Sequence, residues 1–436
     1  MDVVSEPVKK AVSEPVKDAG SAPVKDAVSE PVKDAVSEPV KDVLDTVPPS
    51  ASPVTYVPGL LAEVETLEGK MMISAGLKCT IIAKSGEKVT YKDGNTSDIE
   101  FHDLPDAGNC FRDTNGTGWI YVSNSEVKKE KKGGVGALTF DSEGNIIKYQ
   151  MILKGSTHNC GGGMTPWQTW VSCEEKSGRD GQCWQTDPTG QREAQQTVLG
   201  GEGGKFESFA YDNRDPTTPR FFVTEDSKDG ALRRFTPSAD VVRNATSAND
   251  PWTMLHGSGV LEYLVLHPEG ENSGNFSWSS DIEEGRKSAE KLFKNCEGID
   301  SVRGKLYFVA KKQKEVFSLD LGAGTYTKYS TYDGYFNGQP DQIKWIISNN
   351  GILYMYFTED GGKPDGIHGR DKYNRFFTVL EGTGFKSETT GLAFSTDDMH
   401  MYVAFQKVGL LFDCFREDGY PFIGRTLDVR YHQVEK

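Results

Sequence analysis

The chain has 436 residues and a mass of 48.1 kDa, with 36% hydrophobic and 11% aromatic residues, 47 glycines and a formal net charge of −15. This acidic balance excludes nucleic acid and an anionic membrane surface as main partners, because phosphate-rich surfaces are bound by basic faces. No stretch reaches the roughly 18 apolar residues of a membrane span, and the N-terminus lacks the apolar core of a secretory signal. The seven cysteines include no CxxC pair, which excludes a zinc ribbon and a compact disulfide framework and indicates at least one free thiol.

The first segment of the chain repeats an eight-residue unit. Ser-Glu-Pro-Val-Lys occurs at Ser5, Ser13, Ser29 and Ser37, and the variant Ser-Ala-Pro-Val-Lys begins at Ser21. A proline in each unit prevents a long helix, and valine with alanine buries too little surface to offset chain entropy. We therefore predict a disordered tail and linker over residues 1–53. It is either a passive tail or a spacer that tethers the protein to a partner that the sequence does not identify.

Short β-rich runs separated by Gly, Asp and Asn follow over residues 54–436. Residues 136–149 read as a hairpin, and residues 305–309, 315–319 and 325–329 read as three consecutive strands of one blade. Further strands are predicted at residues 220–224, 231–235, 352–357 and 400–405. Residues 281–293 predict a helix, with Asp281 as N-cap and acids in its first turn. Repeated meanders predict an all-β fold, a β-propeller of about six blades; a pair of β-sandwiches is the structural alternative.

The most unusual stretch is Asn159-Cys160-Gly-Gly-Gly-Met-Thr-Pro-Trp-Gln-Thr-Trp-Val-Ser-Cys-Glu-Glu175. Three successive glycines let the backbone pass close to a bound ion or ligand. A cysteine becomes a thiolate when a metal depresses its pKa, and the acids that follow can supply hard oxygen ligands. From the residues alone, a small buried cysteine and a solvated pair of glutamates at a strand end are the more usual explanation of such a pattern.

This stretch resembles the signature Asn-Cys-Ala-Gly-Gly-x-Thr-Pro-Trp-Gly-x-Trp-x-x-x-Cys-Glu-Glu of the PhoX-like alkaline phosphatase family. The similarity continues through segments 133–138, 204–207, 223–226, 296–299, 338–341, 388–391 and 405–406, and so covers nearly everything after the tail. The resemblance implies a propeller whose central channel holds iron and calcium and which hydrolyses phosphoric monoesters. It also implies export from the cell.

The resemblance assigns roles position by position. Cys160 matches a thiolate that bridges two irons, and Glu207 and Glu297 match carboxylates that bind iron. Glu175, Asp226, Asn159 and Asp341 match calcium-binding or neighbouring positions. These three iron-site residues, Cys160, Glu207 and Glu297, are also the predicted catalytic residues.

The sequence departs from the family pattern where phosphate is held. Phosphatase members carry an arginine two residues before the glutamate that matches Glu297, and this chain has Asn295 there. Asn124-Ser125-Glu126 replaces the family's Asn-His-Glu, and Lys154, at a different spacing, is a candidate to replace the family's phosphate-binding lysine. His158 is either an acid, base or ligand or a histidine satisfied by backbone hydrogen bonds. Trp167 and Trp170 are expected in the core.

We therefore predict a metal-dependent phosphoric monoester hydrolase with Ca²⁺ and Fe³⁺ as cofactors and a small phosphorylated substrate. The alternative is a non-catalytic, calcium-stabilised propeller that binds a ligand or anchors the protein to a surface. Lactone or carbohydrate hydrolysis by a calcium propeller is a weaker option that rests on fold analogy.

Overall fold

The computed structural model describes residues 56–66, 69–347, 351, 353–423 and 427–432. The chain divides into the units Met1–Val47 and Pro48–Lys436, and all described residues lie in the second. The predicted tail, residues 1–53, therefore lies outside the described residues. None of the helices in the described ranges is long and apolar enough to cross a membrane.

The described residues form mainly β-strands. In chain order these are β1 Tyr56–Pro58, β2 Leu61–Thr66, β3 Gly69–Ser74, β4 Leu77–Lys84, β5 Lys88–Thr90, β6 Thr96–Glu100, β7 Pro105–Arg112, β8 Trp119–Ser125, β9 Gly133–Phe140, β10 Ile146–Ser156, β11 Asn159–Met164, β12 Trp170–Glu174, β13 Cys183–Thr186, β14 Gln195–Gln196, β15 Phe206–Asp212 and β16 Arg220–Glu225. The series continues with β17 Arg233–Pro237, β18 Gly259–Pro268, β19 Ser273–Ser279, β20 Cys296–Val302, β21 Lys305–Ala310, β22 Glu315–Asp320, β23 Thr325–Ser330, β24 Gln339–Ile347, β25 Leu353–Asp360, β26 Gly366–Arg370, β27 Phe376–Glu381, β28 Thr389–Phe394, β29 His400–Phe405, β30 Leu410–Arg416 and β31 Leu427–Tyr431.

Two α-helices accompany the strands, α1 at Ala239–Ser247 and α2 at Ile282–Leu292. Helix α2 is the predicted helix: Asp281 is its N-cap and accepts a hydrogen bond from the backbone N–H of Glu283, and Glu283 and Glu284 lie in its first turn. Helix α1 was not predicted, although Ser238 caps it in the same way. Short 3-10 turns lie at Ser177–Arg179, Pro251–Leu255 and Lys311–Gln313.

The strands pair as consecutive antiparallel meanders. These are β7 to β10, β11 to β14, β15 to β18, β20 to β23, β24 to β27, and β28 to β30 with β4 as the outer strand. The predicted hairpin at 136–149 is β9 paired with β10, and the three strands predicted from residue 305 are β21, β22 and β23. Both predictions are confirmed.

The meanders are arranged as a β-propeller. Their first strands pack against one another in the order β7, β11, β15, β20, β24 and β28, and β28 returns to β7. Strand β19 joins two meanders into one nine-stranded sheet, and β1, β2, β3 and β31 extend another. Because these additions blur where one blade ends, the expected number of about six blades stays a prediction.

The last sheet is completed by an early strand. Strand β4 pairs with β30, and Cys79 of β4 forms a disulfide with Cys414 of β30. The hydrophobic core lies between neighbouring sheets: the ring of Tyr121 on β8 packs against that of Tyr402 on β29 with centroids 4.8 Å apart, and Trp119 Nε1 donates to Tyr402 Oη at 2.8 Å. Each such fully buried aromatic side chain contributes about 1.5–3 kcal/mol by leaving water. The disulfide therefore joins β4 to the last sheet, and core packing joins the last sheet to the meander that contains β8.

Candidate metal centre in the propeller channel

The first and second strands of every meander meet in the same register near the propeller axis. The residue pairs Pro105↔Ser125, Asn159↔Glu174, Phe206↔Glu225, Cys296↔Ala310, Pro340↔Glu359 and Thr389↔Phe405 are equivalent. In each meander, the residue that directly follows each member of this pair in the sequence occupies what we call a central position.

The central positions hold an unusual set of side chains. On the first strands they are Asp106, Cys160, Glu207, Glu297, Asp341 and Thr390; on the second strands they are Glu126, Glu175, Asp226, Lys311, Asp360 and Gln406. Carboxylates fill eight of these twelve positions. A propeller built for stability alone would fill such buried positions with apolar side chains, so this ring of acids is a functional feature.

The backbone explains why these side chains face the axis. Each first strand carries a register shift within its first residues, as between Asn159 and Gly162 on β11 and between Phe206 and Phe209 on β15. Such irregularities redirect side chains and are common next to functional sites. The glycines after Cys160 allow close approach of strands, because a Cβ at Gly161 would lie 1.8 Å from the backbone oxygen of Glu207.

A cavity of about 370 Å³ is lined by ten of the twelve central positions, all except Glu297 and Thr390. It is lined by Leu104, Asp106, Glu126, Lys128, Cys160, Glu175, Glu207, Asp226, Lys311, Asp341, Asp360, Glu388, Gln406 and Lys407. Ligand atoms lie within 4.8 Å of one another in four groups: Asp106, Glu126 and Cys160; Glu126, His158 and Glu175; Cys160, Glu175 and Glu207; and Glu207, Asp226 and Glu297. The structure thus brings Cys160, Glu175, Glu207, Asp226 and Glu297 together, and Asp341 lines the same cavity.

The carboxylates in and beside this cavity repel one another. Burial raises the pKa of Glu207 well above its usual range, and the carboxylate of Glu297 raises it further. Burial also raises the pKa of Glu297, although the ammonium of Lys311 acts in the other direction. The pKa of Asp341 rises to about 7, mainly through burial. Without bound cations these carboxyl groups cannot all be ionised near neutral pH.

Cys160 is the one thiol among the central positions. Its Sγ lies 3.6 Å from Asp106 Oδ2. Burial raises the pKa of the thiol well above its usual range, and Asp106 and Glu207 raise it further. In this surrounding a bound metal ion would have to stabilise the thiolate.

The residues present fit a centre of more than one metal ion. Glu297 Oε1 is buried without a directed hydrogen bond, and its near neighbour is the ammonium of Lys311 at 2.9 Å. Carboxylate oxygens are the ligands that hard cations such as Ca²⁺ prefer, whereas a thiolate next to carboxylates suits a softer metal such as iron. Glu207 belongs to two of the ligand groups, so it can join neighbouring ions.

Asn159 does not face the cavity. Its Oδ1 accepts a hydrogen bond from Ser156 Oγ at 2.6 Å, and its Nδ2 donates to Ser172 Oγ at 2.9 Å. The side chain is fully buried and both ends of its amide are used. The structure therefore places Asn159 as a residue that fixes the start of β11 and leaves the cavity to Cys160.

The sequence analysis assigned no role in the metal centre to six residues that line the cavity, namely Asp106, Glu126, Asp360, Glu388, Lys311 and Gln406. Segments containing Glu126, Glu388 and Gln406 were noticed without a role, whereas Asp106 and Lys311 stand outside the quoted motifs. A usable signal was present: an acid or another polar residue directly follows predicted second strands, as Asp226 follows β16 and Gln406 follows β29. Only the strand register shows that these ends meet at one axis.

His158 is in the centre and is fully hydrogen-bonded. Its Nδ1 contacts the backbone oxygen of Glu175, and its Nε2 lies 2.6 Å from Glu126 Oε1 and 3.5 Å from Glu175 Oε2. Burial lowers the pKa of His158, but the two carboxylates outweigh burial, so the pKa is raised. His158 is therefore satisfied by hydrogen bonds, as one interpretation of the sequence expected. It also contacts the candidate ligands Glu126 and Glu175, so its position is compatible with the other interpretation, an acid, base or ligand.

Two other sequence interpretations can be placed. Trp170 is fully buried and donates to Asn124 Oδ1 at 2.9 Å, and neither Trp167 nor Trp170 lines the cavity, as expected for core residues. Lys154 lines a separate groove with Lys129, Lys131 and Lys132. Lys154 therefore does not provide a cation to the metal centre.

Comparison with known proteins agrees with this architecture. The family model described as alkaline phosphatase PhoX matches residues 144–214, a range that contains Asn159, Cys160, Glu175 and Glu207. No curated protein matches the chain. The resemblance drawn from the sequence is confirmed over the motif itself.

The similarity to one solved structure, with a TM-score of 0.65, shows the fold. PhoX from Pseudomonas fluorescens, solved with vanadate as a transition-state analogue, is 14% identical and covers 85% of this chain and 100% of its own, with a TM-score of 0.65. A gluconolactonase from Xanthomonas campestris is 11% identical over 84% of this chain and 97% of its own, with a TM-score of 0.41. The Cps50 (Swd1) β-propeller domain from Myceliophteria thermophila is 7% identical over 76% and 99%, with a TM-score of 0.41. The protein is thus a β-propeller with the architecture of the PhoX phosphatase and an acidic, thiol-containing channel.

Proposed function

We propose that this protein is a metal-dependent hydrolase of phosphoric monoesters that acts in the cavity of the central positions. The observation that carries the proposal is that a thiol and eight carboxyl side chains from separate meanders line one cavity, and that Glu297 lies within reach of two of them, Glu207 and Asp226. The match of residues 144–214 to the PhoX family model and the similarity to a phosphatase structure support the same reaction class.

The ligand groups suggest how ions are shared. Cys160, Glu207 and Glu297 would hold iron, because Cys160 supplies the soft ligand and Glu207 connects the groups. Glu175, Asp226 and Asp341 would hold calcium, which prefers oxygen ligands. Bound ions of this kind neutralise a phosphoryl group, polarise its oxygens and lower the pKa of a nucleophilic water or hydroxyl.

The chain's own residues fix the positions of these ligands. Gln342 Nε2 donates to Asp106 Oδ1 at 2.6 Å. Asn124 Nδ2 donates to the backbone oxygens of Cys160 and Gly161 at 2.8 and 2.7 Å, which holds the thiol-bearing strand against β8. A cavity of about 370 Å³ admits a phosphoryl group with part of its leaving group. Because its walls are acidic, we expect phosphate to enter only when cations are bound.

Phosphate release from a generic monoester by protein reconstituted with iron and calcium tests the proposal. The parent should be active, and Cys160→Ser should lose at least about a hundredfold in kcat, the scale of one essential charge-stabilising group. Cys110→Ser is the matched control, since Cys110 is a buried thiol outside the cavity and should retain activity. Calcium binding without any phosphate release in the parent would instead support the non-catalytic, calcium-stabilised propeller.

A further inference from the structure

Lys311 occupies a central position that breaks the charge pattern of its neighbours. The equivalent second-strand positions hold Glu126, Glu175, Asp226, Asp360 and Gln406, so this meander alone among them supplies a cation. The backbone N–H of Lys311 donates to the oxygen of Asn295 at 2.9 Å. This matches the hydrogen bonds of Glu126, Glu175, Asp226 and Gln406 to the strands opposite them, so the placement of Lys311 follows from the shared register.

The side chain of Lys311 lines the cavity and lies between two carboxylates of the centre. Nζ is 2.9 Å from Glu297 Oε1 and 3.3 Å from Asp360 Oδ2. Glu297 is almost fully buried, whereas the side chain of Asp360 is 25% exposed. The ammonium therefore lies at the wall of the cavity, beside Glu297 of the ligand group Glu207, Asp226 and Glu297.

Other polar groups near this cavity are not equivalent to Lys311. Asn295 is uncharged, and its amide Nδ2 donates to Asp226 Oδ1 at 2.6 Å. Lys407 lines the cavity, but its side chain is 60% exposed and pairs with Glu388 at 3.5 Å. The side chain of Lys311 is only 14% exposed. Lys311 is thus the deeply placed lysine of this cavity.

Metal loading would change the surroundings of this ammonium. When Glu297 binds an ion, its negative charge is shared with the ion, and its pull on Lys311 weakens. A compact ammonium with three N–H donors then suits the oxygens of a tetrahedral oxyanion next to the ions. We propose that Lys311 binds the phosphoryl oxygens of the substrate and so serves as the anion-holding residue of this centre. This inference rests on the proposed function for its substrate, but its test measures binding.

The test is calorimetric titration of inorganic phosphate into metal-loaded protein, with metal content measured on the same samples. Lys311→Met should weaken phosphate binding at least about tenfold, the value of one charge-assisted hydrogen bond, while metal content stays at the parent level. Lys311→Arg should recover a large part of the affinity. Lys312→Met is the matched control, because Lys312 is the exposed neighbour whose Nζ donates to Gln339 at 2.8 Å, and it should bind phosphate like the parent.

The outcomes separate the possible roles. Parent-like phosphate affinity in Lys311→Met would overturn the inference, and so would loss of metal from that variant, since Lys311 would then only hold the carboxylates in place. A metal-loaded parent with no affinity for phosphate also overturns it. If the parent binds phosphate through Lys311 but releases none from a monoester, the inference stands and the proposed hydrolase function fails.

Discussion

Gln406 Nε2 donates to Asp106 Oδ2 and to Glu126 Oε2, each at 2.7 Å, although Gln406 and Asp106 are 300 positions apart in the chain. The contact links the last meander of the propeller to the first. Gln406 is 4% exposed and is the one amide among the central positions. A neutral donor here relieves the repulsion between two acids at the closure of the ring.

Replacement of Gln406 by glutamate should make the protein depend on cations. Gln406→Glu removes a donor and adds a third buried carboxylate, so the free energy of unfolding of metal-free protein should fall by about 3 kcal/mol or more. Urea unfolding with and without Ca²⁺ measures the effect, and Ca²⁺ should restore most of the loss. Gln191→Glu, at an exposed position, should change neither curve. Equal loss with and without Ca²⁺ would contradict a cation site at Asp106 and Glu126.

The disulfide that closes the ring should contribute strongly to stability. Cys79 and Cys414 are separated by 335 residues, so the bond restricts a very long loop of the unfolded chain. The double variant Cys79→Ala and Cys414→Ala should lose about 2–5 kcal/mol in the free energy of unfolding. Reducing agent should destabilise the parent by a similar amount and leave the variant unchanged. Insensitivity of the parent to reduction would disprove this role.

A histidine away from the ligands should make stability fall in acid. Burial lowers the pKa of His102 from 6.5 to about 4, more than its hydrogen bond to the Asn124 backbone raises it. Between these pH values His102 binds more protons in the unfolded chain than in the folded protein. The contribution of His102 to the free energy of unfolding is therefore complete above pH 6.5 and is lost as the pH falls to about 4. It amounts to roughly 3 kcal/mol. In His102→Gln the free energy of unfolding should therefore fall less between these two pH values. An unchanged pH dependence would show that His102 does not titrate this way.

The glycine after Cys160 should be irreplaceable for metal binding. Gly161→Ala would place a Cβ 1.8 Å from the backbone oxygen of Glu207 and so push β11 and β15 apart. We expect a loss of about 3 kcal/mol in stability and at least about a tenfold loss of metal affinity, because Cys160 and Glu207 separate. Gly322→Ala, whose Cβ would meet Asp320 Oδ1 at an ordinary 3.5 Å, is the control. Parent-like metal binding in Gly161→Ala would refute the close approach of these strands.

Local sequence patterns predicted the elements better than their assembly. The helix after Asp281 and the strands from residue 305 follow from capping and from hydrophobic pattern, which act between near neighbours. The addition of β4 to β30 depends on a pairing across the whole chain, and the disulfide at Cys79 depends on that pairing. Helix α1 was missed because polar loop residues surround it.

The candidate metal centre shows the same difference between local motifs, which the sequence predicted, and contacts between distant strands, which it did not. The residues around Cys160 were singled out because they form a contiguous motif, and Glu207, Asp226 and Glu297 followed from the family resemblance. Asp106, Asp360 and Lys311 come from separate meanders and reach the cavity only through equivalent strand register. Lys154 shows the opposite error, since nearness in sequence to Cys160 does not place it in the cavity. Residues that are distant in sequence meet at the propeller axis, and which residues meet there can be predicted only when the strand pairing is known.

The most direct measurement is phosphate release from p-nitrophenyl phosphate while iron and calcium are titrated into metal-free protein. The account predicts no turnover without metal, a rise in proportion to the bound ions and a plateau when the sites around Cys160 and Glu207 are filled. Thiolate-to-iron charge-transfer absorption should grow in parallel and be absent in Cys160→Ser. Filled sites without turnover would contradict the proposed hydrolase, and turnover that is independent of metal would contradict the metal centre as its source.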